Sequence, residues 1–214
     1  MGAPVASRPP EGDYVKKIIK DYSSSGMPIS VLGFVWCIDH VDGTPSATTD
    51  DVHHVRWYGL SLGGPDGNKC WGLDAADYSI TGNRVCMDTY LNATNEYIEF
   101  CKTNNYVTKV VYTTCPPHGY YFDESGYQGH LKLEYIRNYV KADPSRILFD
   151  YADILCYDDD GTTATNSWNG HVYPTITPKN LGDGSIGHIG ETGAIRLAKA
   201  QWWLLARIAG WDGK

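Results

Sequence analysis

The run Pro28-Ile-Ser-Val-Leu-Gly-Phe-Val-Trp36-Cys-Ile-Asp-His40 constrains the fold of this chain more than any other stretch. From Ile29 to Trp36 it is almost wholly apolar, β-branched or aromatic, with no period-two alternation. That pattern predicts a strand buried on both faces of a parallel sheet. The run then breaks into Cys37, Asp39, His40 and the turn former Asp42-Gly43. Open α/β sheets carry their chemistry at the carboxyl ends of such strands. Asp39 and His40 are therefore candidate site residues, although polar residues in this position often do no more than satisfy backbone groups.

Two further strands follow, Val107 to Thr114, which ends at Cys115-Pro-Pro-His118, and Arg146 to Tyr151. Helices are expected at Asp13 to Tyr22, with Asp13 as cap, at Thr48 to Trp57, at Asp88 to Asn104 and at Tyr127 to Val140. A last helix is expected from a Thr192 cap to Ala209, with Gly210 at C′. It is apolar round most of its circumference, so it is expected to lie against the sheet. Strands alternating with helices of this length give an α/β fold. Residues 1–12, with Pro4, Pro9 and Pro10, read as a mobile arm, and residues 13–214 as a single α/β domain. Residues 59–87 form a surface excursion within it, and Asp158 to Gly187, rich in Gly, Thr and Asn, reads as loop.

Composition narrows the partners. A net charge of −7, with no Lys/Arg cluster, argues against nucleic acid. No apolar run approaches the length of a membrane span, and Met1-Gly-Ala-Pro carries no signal peptide. With Tyr 16, Trp 7 and Gly 23, the composition is that of secreted proteins and carbohydrate-handling surfaces. Six cysteines (Cys37, Cys70, Cys86, Cys101, Cys115 and Cys156) are many for a cytosolic enzyme of this size. Structural disulfides in an oxidising compartment are expected, with one tethering the excursion that holds Cys70 and Cys86. Buried free thiols are the alternative. No cysteine–histidine spacing suggests zinc, and Asp158-Asp-Asp160-Gly161 lacks the distal Glu of a calcium loop, so neither metal nor cofactor is expected. Asn92-Ala-Thr94 fits a glycosylation sequon.

Three segments in order carry a resemblance to a known superfamily. They are Val35-Trp36-Cys37, closing the first strand; Leu148-Phe-Asp-Tyr-Ala-Asp-Ile-Leu-Cys-Tyr-Asp-Asp-Asp-Gly161; and Lys199-Ala-Gln-Trp-Trp-Leu-Leu-Ala-Arg-Ile-Ala-Gly-Trp-Asp212. Together with the first helix and with His188 just ahead of the last, they resemble one branch of the SGNH/GDSL-type hydrolases. The resemblance spans the chain from about Asp13 onward. It implies a three-layer, flavodoxin-like sandwich around a parallel sheet and a catalytic base at His188. The oxyanion-side block would fall at Trp36 to His40.

The same resemblance marks what differs. The superfamily's nucleophile is a Ser in a Gly-Asp-Ser or related motif after the first strand. That strand and turn lie upstream of the matching region, and Ser23-Ser-Ser-Gly26 follows a helix instead. The Asp usually found three residues before the His is here Ser185, which leaves Asp183 as the carboxylate to orient His188. Trp36-Cys-Ile-Asp39 stands where the Gly-x-Asn-Asp block would be. His118 follows the second strand at the same sheet end, and His53-His54 point apart on a helix.

Two functions follow as expectations. One is a secreted hydrolase, an esterase on acylated carbohydrate. The other is a non-catalytic extracellular protein that keeps the fold for binding or self-assembly. Without the first strand of the family, the strand at 29–36 becomes a sheet edge. It holds no Lys and no Pro within the run to discourage pairing, so a strand donated by another molecule or by an upstream segment is expected to cover it.

Overall fold

The structure, a computed structural model, describes residues 11–34, 57–58, 72–73, 87–117, 124–185 and 189–214. Helix α1 (Glu11–Ser24) leads into strand β1 (Val31–Gly33). Two short strands, β2 (Trp57–Tyr58) and β3 (Gly72–Leu73), pair in parallel with each other. Helix α2 (Met87–Thr103), strand β4 (Lys109–Thr113), helix α3 (Glu124–Lys141) and strand β5 (Leu148–Phe149) complete the central alternation. Helix α4 (Tyr151–Leu155), hairpin strands β6 (Ala164–Trp168) and β7 (His171–Thr175), helix α5 (Pro178–Leu181) and helix α6 (Glu191–Ile208) follow.

The chain is mixed α/β. Strands β1, β4 and β5 form a parallel sheet in that order, in the register Leu32↔Val110 and Tyr112↔Leu148. Residues Val111, Tyr112 and Thr113 of β4 are all buried, so β4 is covered on both faces as a central parallel strand should be. Val110 and Tyr112 share one face. Val110 packs with Ile19 of α1 and Cys101 of α2, while Tyr112 packs with Leu91 of α2 and Ile136 and Val140 of α3. The Tyr90 hydroxyl of α2 donates to the Thr113 carbonyl at 3.0 Å and accepts the Thr113 N–H at 3.2 Å, locking helix to strand. Burial pushes the Tyr112 phenol up to about 12.

Several expectations are corrected. The run at 29–36 is not buried on both faces: Val31 and Leu32 are half-buried, and Gly33 and Phe34 are exposed. The reason is its place in the sheet, because β1 has β4 as its one neighbour among the described residues. Trp57, expected to end a helix, lies in β2; residues 48–56 fall outside the described residues, as do 1–10 and most of the 59–87 excursion. In α1, Asp13 lies inside the helix rather than at its cap, and Tyr22 is exposed. Residues 158–187 are not all loop. Asn169 and Gly170, with φ of 47° and 81°, turn β6 into β7. Asn-Gly is the dipeptide that a two-residue turn of this hand demands.

Helix α6 is capped by Gly190 rather than Thr192, and Gly210 takes φ 98° just past its end, as expected of a C′ glycine. Among the described residues its main contacts are with other helices rather than with the sheet. It packs on α4 and α5, and only Gly193 of its residues is fully buried. Trp202 and Trp203 are left 68% and 53% exposed. The disulfide expectation is corrected in part: Cys101, Cys115 and Cys156 are buried and in no disulfide, so the six cysteines do not form three bridges. Cys37, Cys70 and Cys86 lie outside the described residues.

Candidate functional site at the carboxyl end of the sheet

Parallel strands end together, and here the ends of β4 and β5 meet in a buried polar corner. The Thr114 hydroxyl donates to Asp150 Oδ1 at 2.9 Å and accepts the Ala152 N–H at 2.9 Å. Asp150 caps α4 by accepting the Asp153 N–H at 3.1 Å. Arg137 of α3 grips the same carboxylate with both arms, Nε to Oδ2 at 2.6 Å and Nη2 to Oδ1 at 2.9 Å, and its Nη1 meets Glu134 at 2.5 Å. Burial works against the Arg137 charge, but Asp150 and Glu134 outweigh it and hold the guanidinium protonated. Both oxygens of Asp150 are engaged. The corner is therefore scaffold rather than a free base.

Helix α3 also buries polar groups other than Arg137. Ser125, Gln128 and Lys132 are 5%, 0% and 0% exposed and follow one another at spacings of three and four, so they share one helix face. Cys115, next to Thr114 in sequence, is fully buried with Leu133 and Ala152, and its thiol donates to the Pro116 carbonyl at 3.4 Å.

From this corner, α4 connects to the turn that precedes α6. Leu155 of α4, Ile176 and Ile189 form one buried cluster, with Tyr151 packed against it. Asn180, 1% exposed, donates from Nδ2 to the Leu155 and Tyr157 carbonyls at 3.0 and 2.9 Å, and its own carbonyl accepts the Gly190 N–H at 3.0 Å. Gly182 and Gly190 touch so closely that a Cβ on either would meet the other's Cα at 2.9–3.0 Å. The loop between them is thus closed at its neck, the form of many functional Ω-loops.

That loop carries two of the residues singled out from the sequence. Asp183 is exposed; its Oδ1 accepts the Ser185 N–H at 2.9 Å, and bonds from Ser185 hold its carboxyl below the usual range. His188 lies outside the described residues, and so do Asp39, His40 and His118. The structure brings none of these side chains together among the residues it describes. What sequence reading missed is the Thr114–Asp150–Arg137 corner and the Asn180 hub. One signal was available, since Arg137 falls inside the apolar spacing of Leu133, Ile136 and Val140 and must have a buried partner.

A cavity of about 110 Å³ opens between α5, α6 and the turn after α4. It sets Asp158 and Asp159 against Lys179, Arg196 and Lys199, and Arg196 is tied to Asp159 and to the Ile154 carbonyl. Among the described residues no three His, Cys, Asp or Glu side chains gather as a metal site, and no helix is long and apolar enough to cross a membrane. No protein-family model, curated protein or solved structure matches the chain.

Proposed function

We propose that this protein is a secreted ester hydrolase of the SGNH type, acting on acylated carbohydrate, with His188 as its base. The observation that carries the reading is the parallel order β1-β4-β5 with β1 at its open edge among the described residues. In a flavodoxin-like sandwich the strand bearing the nucleophile would dock at that edge, beside Val31-Leu32-Gly33, and come from an upstream segment. Asp39 and His40 would then face it from the end of the β1 run. Ile189, buried against Leu155 and next to Tyr151, supports a place for the adjoining His188 near the carboxyl end of β5.

The chemistry divided among these residues is ordinary acyl transfer. His188 takes the proton of the attacking hydroxyl and returns it to the leaving alcohol, and Asp183 orients the imidazole through the oxygen not held by Ser185. Secretion goes with a bridge between two of Cys37, Cys70 and Cys86, the three cysteines outside the described residues. The test is turnover of aryl acetates and acetylated xylan by the protein made from its complete gene. Loss of turnover in His188→Ala at unchanged Tm supports the reading. Wild-type protein inert on every acyl ester overturns it.

A second reading has its own observation. The second half of α6 leaves Trp202, Trp203 and Leu205 exposed, and β1 leaves an unpaired edge among the described residues. Both suit a non-catalytic, self-assembling extracellular protein. Sedimentation of the inert protein as an oligomer favours this reading.

A further inference from the structure

The β6–β7 hairpin is pinned at its base and clipped at its tip, and the two attachments differ in kind. At the base, Tyr157 bridges Thr163, the Thr177 N–H donates to the Leu155 carbonyl at 3.1 Å, and the Thr177 hydroxyl donates to Asp158 at 2.6 Å. Ile176 is buried beside Leu155. The base is thus anchored by backbone bonds and core packing.

At the tip the hairpin meets α3 through rings. Trp168 and His171 are paired across the turn on one face of the hairpin. Tyr127 of α3 lies flat against both, 4.5 Å and 11° from His171 and 5.6 Å and 26° from Trp168. One turn further along α3, His130 stacks on Tyr173 at 6.0 Å and 21°. Residues 164–175 contain no Asp, Glu, Lys or Arg, so no salt bridge reinforces this contact.

We propose that the hairpin is an acid-released flap, held on α3 while His130 is neutral and freed from it, about the base at Tyr157 and Thr177, when His130 takes a proton. Two histidines sit in the clip, and they respond differently. His171 is exposed, and an exposed imidazolium is attracted to a ring face rather than expelled from it. His130 is half-buried, and charging it removes an imidazolium from water. The groups that face it, among the described residues, are Glu134 and Arg137 on α3 and the buried Tyr173 on the hairpin. Arg137 opposes a second positive charge and Glu134 favours one, but burial dominates and lowers the His130 pKa.

The sign follows. A docked state that binds the proton less readily than the open state is fully stable above the ordinary His pKa, near 6.5, and loses stability as pH falls through it. Opening uncovers Tyr127 and His130 on the helix whose neighbouring face carries Ser125, Gln128 and Lys132.

Amide hydrogen exchange at about pH 7.5 and about pH 5, corrected for intrinsic rates, tests this. Amides of 164–175 should lose about tenfold in protection at the lower pH, while those of β4 keep theirs. His130→Phe keeps a ring on Tyr173 and removes the titration, so it should abolish the difference; His171→Phe should leave it in place. Equal protection of the wild-type hairpin at both pH values overturns the proposal. So does a His130→Phe variant that still loses protection in acid.

Discussion

Thr114 and Asp150 join the ends of neighbouring strands through one 2.9 Å hydrogen bond, and the same carboxylate caps α4 and receives both arms of Arg137. Removing the acid therefore undoes three attachments together. Asp150→Ala leaves a guanidinium whose side chain is only 8% exposed with Glu134 as its remaining carboxylate among the described residues, and with the lost helix cap it should cost about 3 kcal/mol in denaturant unfolding. Asp159→Ala breaks a pair whose carboxylate is 80% exposed and should cost less than about 1 kcal/mol. Comparable losses in the two variants would show that the corner does not hold the sheet end together.

Gly193 is the point where α6 presses on α5. A Cβ there would lie 2.5 Å from the Asn180 carbonyl and 3.3 Å from a Leu155 methyl, and neither neighbour is free to move. Gly193→Ala should destabilise the fold by about 1–3 kcal/mol, read from the urea midpoint at unchanged m-value. An unchanged midpoint would mean that α6 docks elsewhere.

The thiols give a third expectation. Burial pushes the Cys156 thiol up to about 12 and raises Cys101 as well. The thiolate is the reactive form, so Cys101 and Cys156 should resist alkylation at neutral pH in the native protein. Unfolding should release at least Cys101, Cys115 and Cys156 to a thiol reagent. Peptide mapping that finds any of these three in a disulfide would contradict the structure.

Trp202 and Trp203 stand in solvent, with the Arg207 guanidinium over the Trp203 ring at 5.6 Å. Replacing either with Ser should change stability by no more than about 0.5 kcal/mol, apart from the modest cation–π contribution at Trp203. Acrylamide quenching of the wild-type emission should fall when both are removed. If either substitution unfolds the protein, the second half of α6 is packed and not exposed.

The three central strands and most helices were legible because their apolar runs and 3.6-residue patterns are long. Lys109–Thr113 shows this best, with Val110, Val111 and Tyr112 in a row between two clear helices. Burial of the run at 29–36 was misread, because an apolar sequence does not say whether a strand has one neighbour or two. The β6–β7 hairpin was passed over as polar loop although Asn169-Gly170 announces its turn. Helix α6 looked fit for burial on every side, yet Gly193 is its one buried contact, and no periodicity encodes how far a helix overhangs its support. Of the site, Asp39 and His40 were picked out as polar residues following an apolar run, and Asp183 and His188 through the resemblance of the segment before the last helix. Thr114, Asp150 and Arg137 meet only in three dimensions, from residues 13 to 36 positions apart.

The claim that this fold performs acyl transfer with His188 as base is tested most directly by a fluorophosphonate, which an activated serine attacks with loss of fluoride. On protein made from the complete gene, mass spectrometry should find one serine labelled. His188→Ala should abolish the labelling while leaving Tm where it was. Protein that takes up no label, or a His188→Ala variant labelled as fast as the wild type, contradicts the assignment.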